Sequence, residues 1–158
     1  KTKTAPASRP LLAEKGSTDP ASLPFTERVD GLDWRGAQAQ PAVIAAYDAA
    51  DIFVLPSRIA SDGDRDGLPN VLMEAQSQGL CCISSDAAGA PELIIHGETG
   101  LITRAEDDAD LAQALARMIR DPAERARLGA AGAARVRAAF DFAAGADRIA
   151  AGLREAAD

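Results

Sequence analysis

The stretch from Asp51 to Gly100, DIFVLPSRIASDGDRDGLPNVLMEAQSQGLCCISSDAAGAPELIIHGETG, leaves a chain like this few folds to choose from. Ile52, Phe53, Val54 and Leu55 form an unbroken apolar run that suits a strand covered on both faces, as in a parallel sheet, and Pro56 ends it. A polar loop with Asp62, Gly63, Asp64, Asp66 and Gly67 follows. Pro69 is placed as a first helical residue, because its fixed φ fits a helix start and its missing N–H is not needed there. Gly79 can close that helix in a left-handed conformation. Cys81, Cys82 and Ile83 supply the next strand. Strand, loop, helix, strand is a βαβ unit, and ligands of such sheets bind at the carboxyl ends of the strands. Here that end is the loop from Pro56 to Leu68.

A length of 158 residues suits one domain with a real core. Hydrophobic residues make up 47% of the chain and aromatics only 4%, so Ala, Leu, Ile and Val must fill that core, which favours helices packed closely on a sheet. The formal charge of −7 is uneven, with two basic and eight acidic residues in 51–100 and near balance on either side. An acidic surface argues against nucleic acid or anionic membrane as a default partner. No apolar run approaches the ~20 residues of a membrane span, and no hydrophobic leader core follows Lys1–Lys3. Cys81 and Cys82 point to opposite faces of a strand, which reads as two buried thiols in a reducing compartment.

Elsewhere the pattern is helical. Residues 1–24 are rich in Pro, Ser, Thr and Ala and lack periodicity. Val29 to Trp34 is a weak strand candidate broken by Gly36, and Pro41 starts a helix with Val43, Ile44 and Tyr47 on one face. Leu101 to Thr103 is a short strand. Asp107 or Asp108 caps a helix with Leu111, Leu115, Met118 and Ile119 at helical spacing. Asp121, Pro122 and Glu124 resemble a capping box for the next helix, whose Leu128 and Val136 face inward and whose arginines lie on a solvated face. Asp141 can cap a last helix using Phe142, Ile149 and Leu153.

Three readings compete for Asp62 to Glu74. Asp62, Asp64, Asp66 and Gly67 match the opening of a calcium loop, but its twelfth position is Met73 and the loop follows a strand rather than a helix. Asp62 and Asp64 also form a D-x-D pair of the kind that holds a divalent ion on a nucleotide diphosphate. In the third reading, the amides at the helix start suit a diphosphate. Glu74, about a turn and a half into that helix, can reach ribose hydroxyls.

The segments PSRIASDGDRDGLPNVLMEAQSQGL and SDAAGAPELIIHGETGLI resemble the donor-binding half of the retaining, GT-B type glycosyltransferases with an E-x7-E signature, family 4. The similarity runs from about Val29 to Phe142 and rests on four elements in order. These are the A-D-I-F-V-L-P-S strand end, the acid-G-x-P-x-x-x-x-E-A helix start, the S-D-x-x-G-x-P-E turn and the G-x-T-G-L turn. The resemblance implies an α/β fold, a Rossmann-like parallel sheet flanked by helices. It also implies transfer of a sugar from a nucleotide diphosphate sugar to a glycan or lipid acceptor with retention of configuration, and no obligatory metal or other cofactor. By the same resemblance the first acid, Asp66, contacts the donor sugar. Gly67, Leu68, Pro69 and Asn70 hold the diphosphate, and Glu74 holds the ribose.

Two departures stand out. Asp66 replaces the more usual Glu, one methylene longer. The basic opening of the family's donor lobe is matched only loosely by Arg9 to Gly16, which leaves Arg9 and Lys15 as candidate diphosphate contacts. Residues 17–28 are too few for the elements that normally follow. The expected organisation is therefore an irregular segment at 1–28, or a remnant of the lobe's first strand, and a donor-binding α/β domain at 29–158. The acceptor lobe is missing, so this chain alone is not expected to turn over. The family places such enzymes in the cytoplasm, at the inner membrane face, in surface polysaccharide or glycolipid assembly. Arg58 and Arg65 can meet phosphate or pair with neighbouring Asp residues. His96 reads as a surface residue, and Glu92 as one that ties its turn. The rival function is a non-catalytic acidic α/β module that binds a nucleotide or a divalent cation at the Asp62 to Asp66 loop.

Overall fold

The computed structural model describes residues 11–12, 31, 33–59, 67–87, 89–140, 145, 150 and 152–154. The chain forms two compact units, residues 1–51 and 52–158. In the first, β1 (Leu11–Leu12) pairs in parallel with β2 (Asp33–Trp34), and α1 spans Gln40–Ala49 with Pro41 in its first turn. Tyr47 is buried as expected. Ile44 is 41% exposed, so the buried face of α1 is narrower than its apolar spacing implied. The boundary expected between residues 28 and 29 lies outside the described residues, as does most of the helix expected after Asp141.

The second unit is a three-stranded parallel sheet in the order β3 (Ile52–Leu55), β4 (Cys81–Ser85), β5 (Leu101–Thr103). Registers of Ile52 with Cys81 and of Ile83 with Leu101 align the three carboxyl ends along one edge. Helix α2 (Asn70–Ser77) makes the crossover from β3 to β4, the short α3 (Ala90–Leu93) follows β4, and α4 (Asp108–Arg120) and α5 (Pro122–Ala139) follow β5. β4 is buried at every residue. β3 is half-buried throughout, against the expectation of cover on both faces, because it pairs on one side only and is an edge of the described sheet.

The core explains the low aromatic content. Cys81, Ile83, Leu101, Met118 and Leu128 form one cluster, with Ile52, Leu111, Ala114 and Leu115 packed against it. Ile119 is 64% exposed, so the stripe of α4 passes through Leu111, Leu115 and Met118 and leaves Ile119 outside. Small residues let the helices come close. A methyl group on Gly129 would run into the Gly79 carbonyl, and one on Gly132 would lie 2.8 Å from Gln76 Nε2. α5 therefore seats against the turn that joins α2 to β4.

Local signals set the helix ends. Gly79, at φ +83°, terminates α2. Its N–H donates to the Gln76 carbonyl and that of Leu80 to the Ala75 carbonyl, a pattern that satisfies the last carbonyls of the helix. Asp107 caps α4 by accepting from the Asp110 N–H, and Asp121 caps α5 by accepting from the Glu124 N–H. The capping box is only half made, because the Glu124 carboxylate turns to Arg117. Arg127 and Arg137 of α5 are exposed as expected, but Arg125 and Arg135 are half-buried. Arg125 donates to the Met118 carbonyl, and Arg135 donates to the carbonyls of Leu93 and Glu92 at the end of α3. No helix among the described residues is long and apolar enough to cross a membrane.

Both thiols are free and buried, with Cys81 Sγ 3.4 Å from Met118 Sδ. Burial pushes the Cys81 thiol from its ordinary 9.0 up to about 11 and raises that of Cys82 further. The unfolded chain loses these protons near pH 9.0 while the folded chain keeps them. The Cys81 contribution to stability is thus complete below pH 9.0 and is lost as pH rises through about 11, and that of Cys82 persists to higher pH. Unfolding titrations between those pH values are expected to show falling stability. At pH 8 a thiol reagent is expected to label the protein only after denaturant is added.

Candidate functional site

The carboxyl edge of the sheet is fastened by buried hydroxyls. Ser84 Oγ donates to the Leu55 carbonyl at 2.8 Å, Ser85 Oγ to the Ser57 carbonyl, and Thr103 Oγ1 to the Ser84 carbonyl at 3.3 Å. Each bond runs from one strand end to the next, so the loops that leave the edge start from fixed points. The turn after β4 is tied to the end of β5 as well. The Asp86 N–H donates to the Thr103 carbonyl, and Asp86 Oδ1 accepts from the Ala105 N–H, both at 2.8 Å.

Gly67, Leu68, Pro69 and Asn70 lead into α2. Pro69 is the cap of the helix, with extended backbone (φ −68°, ψ 123°), and not its first residue as the sequence suggested. The proline φ suits both positions, and the extended ψ decides between them. The first bond of the turn runs from the Leu72 N–H to the Pro69 carbonyl, so the N–H groups of Asn70 and Val71 head the helix ahead of any intrahelical acceptor. Leu72, Ala75 and Gln76 form the buried face of α2. Asn70 and Glu74, four residues apart, share the opposite face, Asn70 exposed and Glu74 half-buried.

Gly89 meets this segment from the turn after β4. Its N–H donates to the Gly67 carbonyl at 3.1 Å. A Cβ built on it would lie 2.8 Å from the Leu68 nitrogen and 2.9 Å from the Leu68 Cα. The backbone of Gly89 (φ −84°, ψ 6°) is one any residue adopts, so glycine is needed there for closeness and not for φ.

The structure therefore brings Gly67, Leu68, Pro69, Asn70 and Glu74 together at the carboxyl edge. Asp66, Arg9, Lys15, Arg65 and the Asp62 to Asp64 pair lie outside the described residues. Arg58 is exposed beyond β3. His96 is exposed in the turn before β5, where its Nδ1 lies 3.0 Å from the Ile102 nitrogen. Glu92 is exposed, and its carbonyl accepts from Arg135.

The family model described as Glycosyl transferases group 1 matches residues 12–121. The chain belongs to this family. A GDP-mannose-dependent monoacylated alpha-(1-6)-phosphatidylinositol monomannoside mannosyltransferase of Corynebacterium glutamicum is 39% identical over 101 residues, 63% of this chain and 26% of that protein. Sucrose-phosphate synthase from Thermosynechococcus elongatus superposes with a TM-score of 0.75 at 29% identity, over 94% of this chain and 39% of that one. HepE of Anabaena, solved in complex with UDP, superposes with a TM-score of 0.69 at 25% identity, over 80% of this chain and 33% of that one. The chain spans about a quarter of the length of the curated relatives it matches.

Within this glycosyltransferase fold, the sequence pattern marks the helix that heads the site and gives no sign of what holds it. Ser84, Ser85, Asp86 and Thr103 carry no charge pattern that marks them as bracing residues. Their signal is position, a run of hydroxyls and an Asp at the ends of adjacent strands. Gly89 belongs to a turn that the sequence does mark, but its role depends on Leu68, remote in sequence. Ser84→Ala removes a buried bond to the Leu55 carbonyl and is expected to cost about 1 kcal/mol of stability, read from urea or guanidinium unfolding curves.

Proposed function

We propose that this chain is the nucleotide-sugar donor-binding lobe of a glycosyltransferase that passes a sugar to a glycan or lipid acceptor with retention of configuration. One observation carries the reading: the amides at the head of α2, which have no acceptor within the helix, stand at the carboxyl edge of a parallel sheet, with Asn70 and Glu74 on one outward face of the helix. The diphosphate lies against Gly67, Leu68 and the helix head, where N–H groups and the helix dipole favour negative charge. Glu74 accepts from the ribose hydroxyls a turn further on, and Asp66 touches the donor sugar. Arg9 and Lys15 are proposed as further cationic contacts to the diphosphate. Similar proteins include one that depends on GDP-mannose and one solved with UDP, which supports a nucleotide diphosphate donor and leaves the base to experiment.

Catalysis on this half is positioning and electrostatic stabilisation of the leaving diphosphate, with little side-chain acid–base work. Backbone amides fixed before the sugar leaves need no reorganisation as charge develops on the leaving oxygen. Binding on this reading requires no metal. The acceptor reaches the donor through a second lobe, so the 158-residue chain binds donor without transferring it. The whole enzyme works at the cytoplasmic face of the membrane, a placement that rests on the family resemblance.

Calorimetric titration of the purified chain with UDP, GDP and ADP in EDTA tests the reading. Binding of one of the three is expected, weakened about tenfold or more by Glu74→Ala, the loss of a charged hydrogen bond. Binding of calcium or manganese alone, indifferent to nucleotide and to Glu74, would replace the donor lobe with a cation module. Sugar transfer by the isolated chain would overturn the claim that it needs a second lobe.

A further inference from the structure

We infer that Gly89 is a positioning residue for the diphosphate, setting the height and tilt of the Gly67–Leu68 peptide through direct backbone contact. The inference rests on the donor reading above and extends it to a residue that touches no part of the ligand. Three observations carry it. The Gly89 N–H donates to the Gly67 carbonyl, which fixes the plane of the peptide whose N–H belongs to Leu68. The Gly89 Cα lies so close to Leu68 that a Cβ would sit 2.8 Å from its nitrogen, inside any distance that real Cβ atoms adopt to backbone. And the turn that carries Gly89 starts from an anchored residue, because Asp86 is bonded through both its N–H and its carboxylate to the strand and turn that follow Leu101.

An added methyl at Gly89 must therefore be relieved on the Leu68 side. Among the described residues the Gly67–Leu68 segment is tied by the Gly89 N–H alone, where Asp86 has two bonds, and it is the segment whose amide meets phosphate. Gly132 makes a contrast elsewhere in the fold. A Cβ there would crowd Gln76 Nε2 and the Thr99 carbonyl, 2.8 and 2.9 Å away, on the buried side of α2. Crowding at Gly132 loads the core, and crowding at Gly89 loads the ligand-facing loop.

The test compares wild type, Gly89→Ala and Gly132→Ala by calorimetry in EDTA, with UDP against UMP and GDP against GMP. Gly89→Ala is expected to lower the preference for diphosphate over monophosphate by about tenfold or more, the scale of a lost hydrogen bond to a charged group. Gly132→Ala is expected to lower the melting temperature and leave that preference unchanged. Equal weakening of both nucleotides by Gly89→Ala, or a folded Gly89→Ala that binds as wild type does, overturns the inference while the donor reading stands. A wild-type chain that binds no nucleotide overturns the donor reading itself and the inference with it. Amide spectra of the wild-type protein supply a measurement that needs no variant. The Leu68 and Gly89 N–H signals are expected to shift together with the diphosphate and not with its monophosphate, and a Gly89 signal that stays put while that of Leu68 moves overturns the inference.

Discussion

Hydroxyl groups buried at the ends of β4 and β5 hold the carboxyl edge of this parallel sheet. In a parallel ladder the last residues of each strand have backbone groups with no further partner, and a buried orphan costs about 1–3 kcal/mol. Ser84, Ser85 and Thr103 donate sideways to carbonyls at or just beyond the neighbouring strand ends, the Leu55 carbonyl accepting from the Ser57 N–H as well. These bonds lock the relative heights of β3, β4 and β5. Every loop at that edge inherits its origin from them. Asp86 extends the arrangement outward by one residue, and Gly89 extends it to the head of α2.

The opposite side of the molecule solves a different problem with glycine. α5 carries Leu128 into the core beside Cys81 and Met118, and for this it must lie almost on the turn between α2 and β4. Gly129 and Gly132 make the approach possible and bring α5 against Gln76. Gln76, fully buried, donates to the Thr99 carbonyl at 2.7 Å, while its Oε1 has no hydrogen-bond partner among the described residues. Fixing α2 along its inner face is what that arrangement achieves, and the outer face, with Asn70 and Glu74, is thereby fixed too. Arg135 adds a tie from α5 to the end of α3, where two helix-terminal carbonyls accept its guanidinium.

Elements governed by neighbours in sequence are legible in the sequence itself. Gly79 as a left-handed helix stop, Asp107 and Asp121 as caps, and the strands at Ile52, Cys81 and Leu101 all depend on residues within a few positions. Features governed by remote segments are not. Ile44 and Ile119 fit an apolar period, yet the described packing does not reach them. Arg125 and Arg135 read as solvated because the carbonyls they serve belong to Met118, Glu92 and Leu93. Glu124 fits a capping box, but Arg117 offers it two charged donors where the cap offers one neutral N–H. At the site, the run from Gly67 to Asn70 and Glu74 is visible because a proline-started helix after a strand is a local pattern. Gly89 is visible only as a turn residue.

That difference bears on where recognition resides in such a site. A carboxylate such as Glu74 is specified by one codon and presented by any helix in the right register. A backbone amide is available in every sequence, and can serve an anion only when its peptide plane is aimed and kept there, as the proposed role of Leu68 requires. Aiming it takes the Gly67 carbonyl held by Gly89, Gly89 held by its turn, the turn held through Asp86 to the end of β5, and β5 registered on β4. Each link is a backbone contact or a small side chain, so the sequence can drift around it while the geometry persists. The position with no room for an added atom is Gly89, so the geometry of this edge depends on that glycine as closely as on any charged residue.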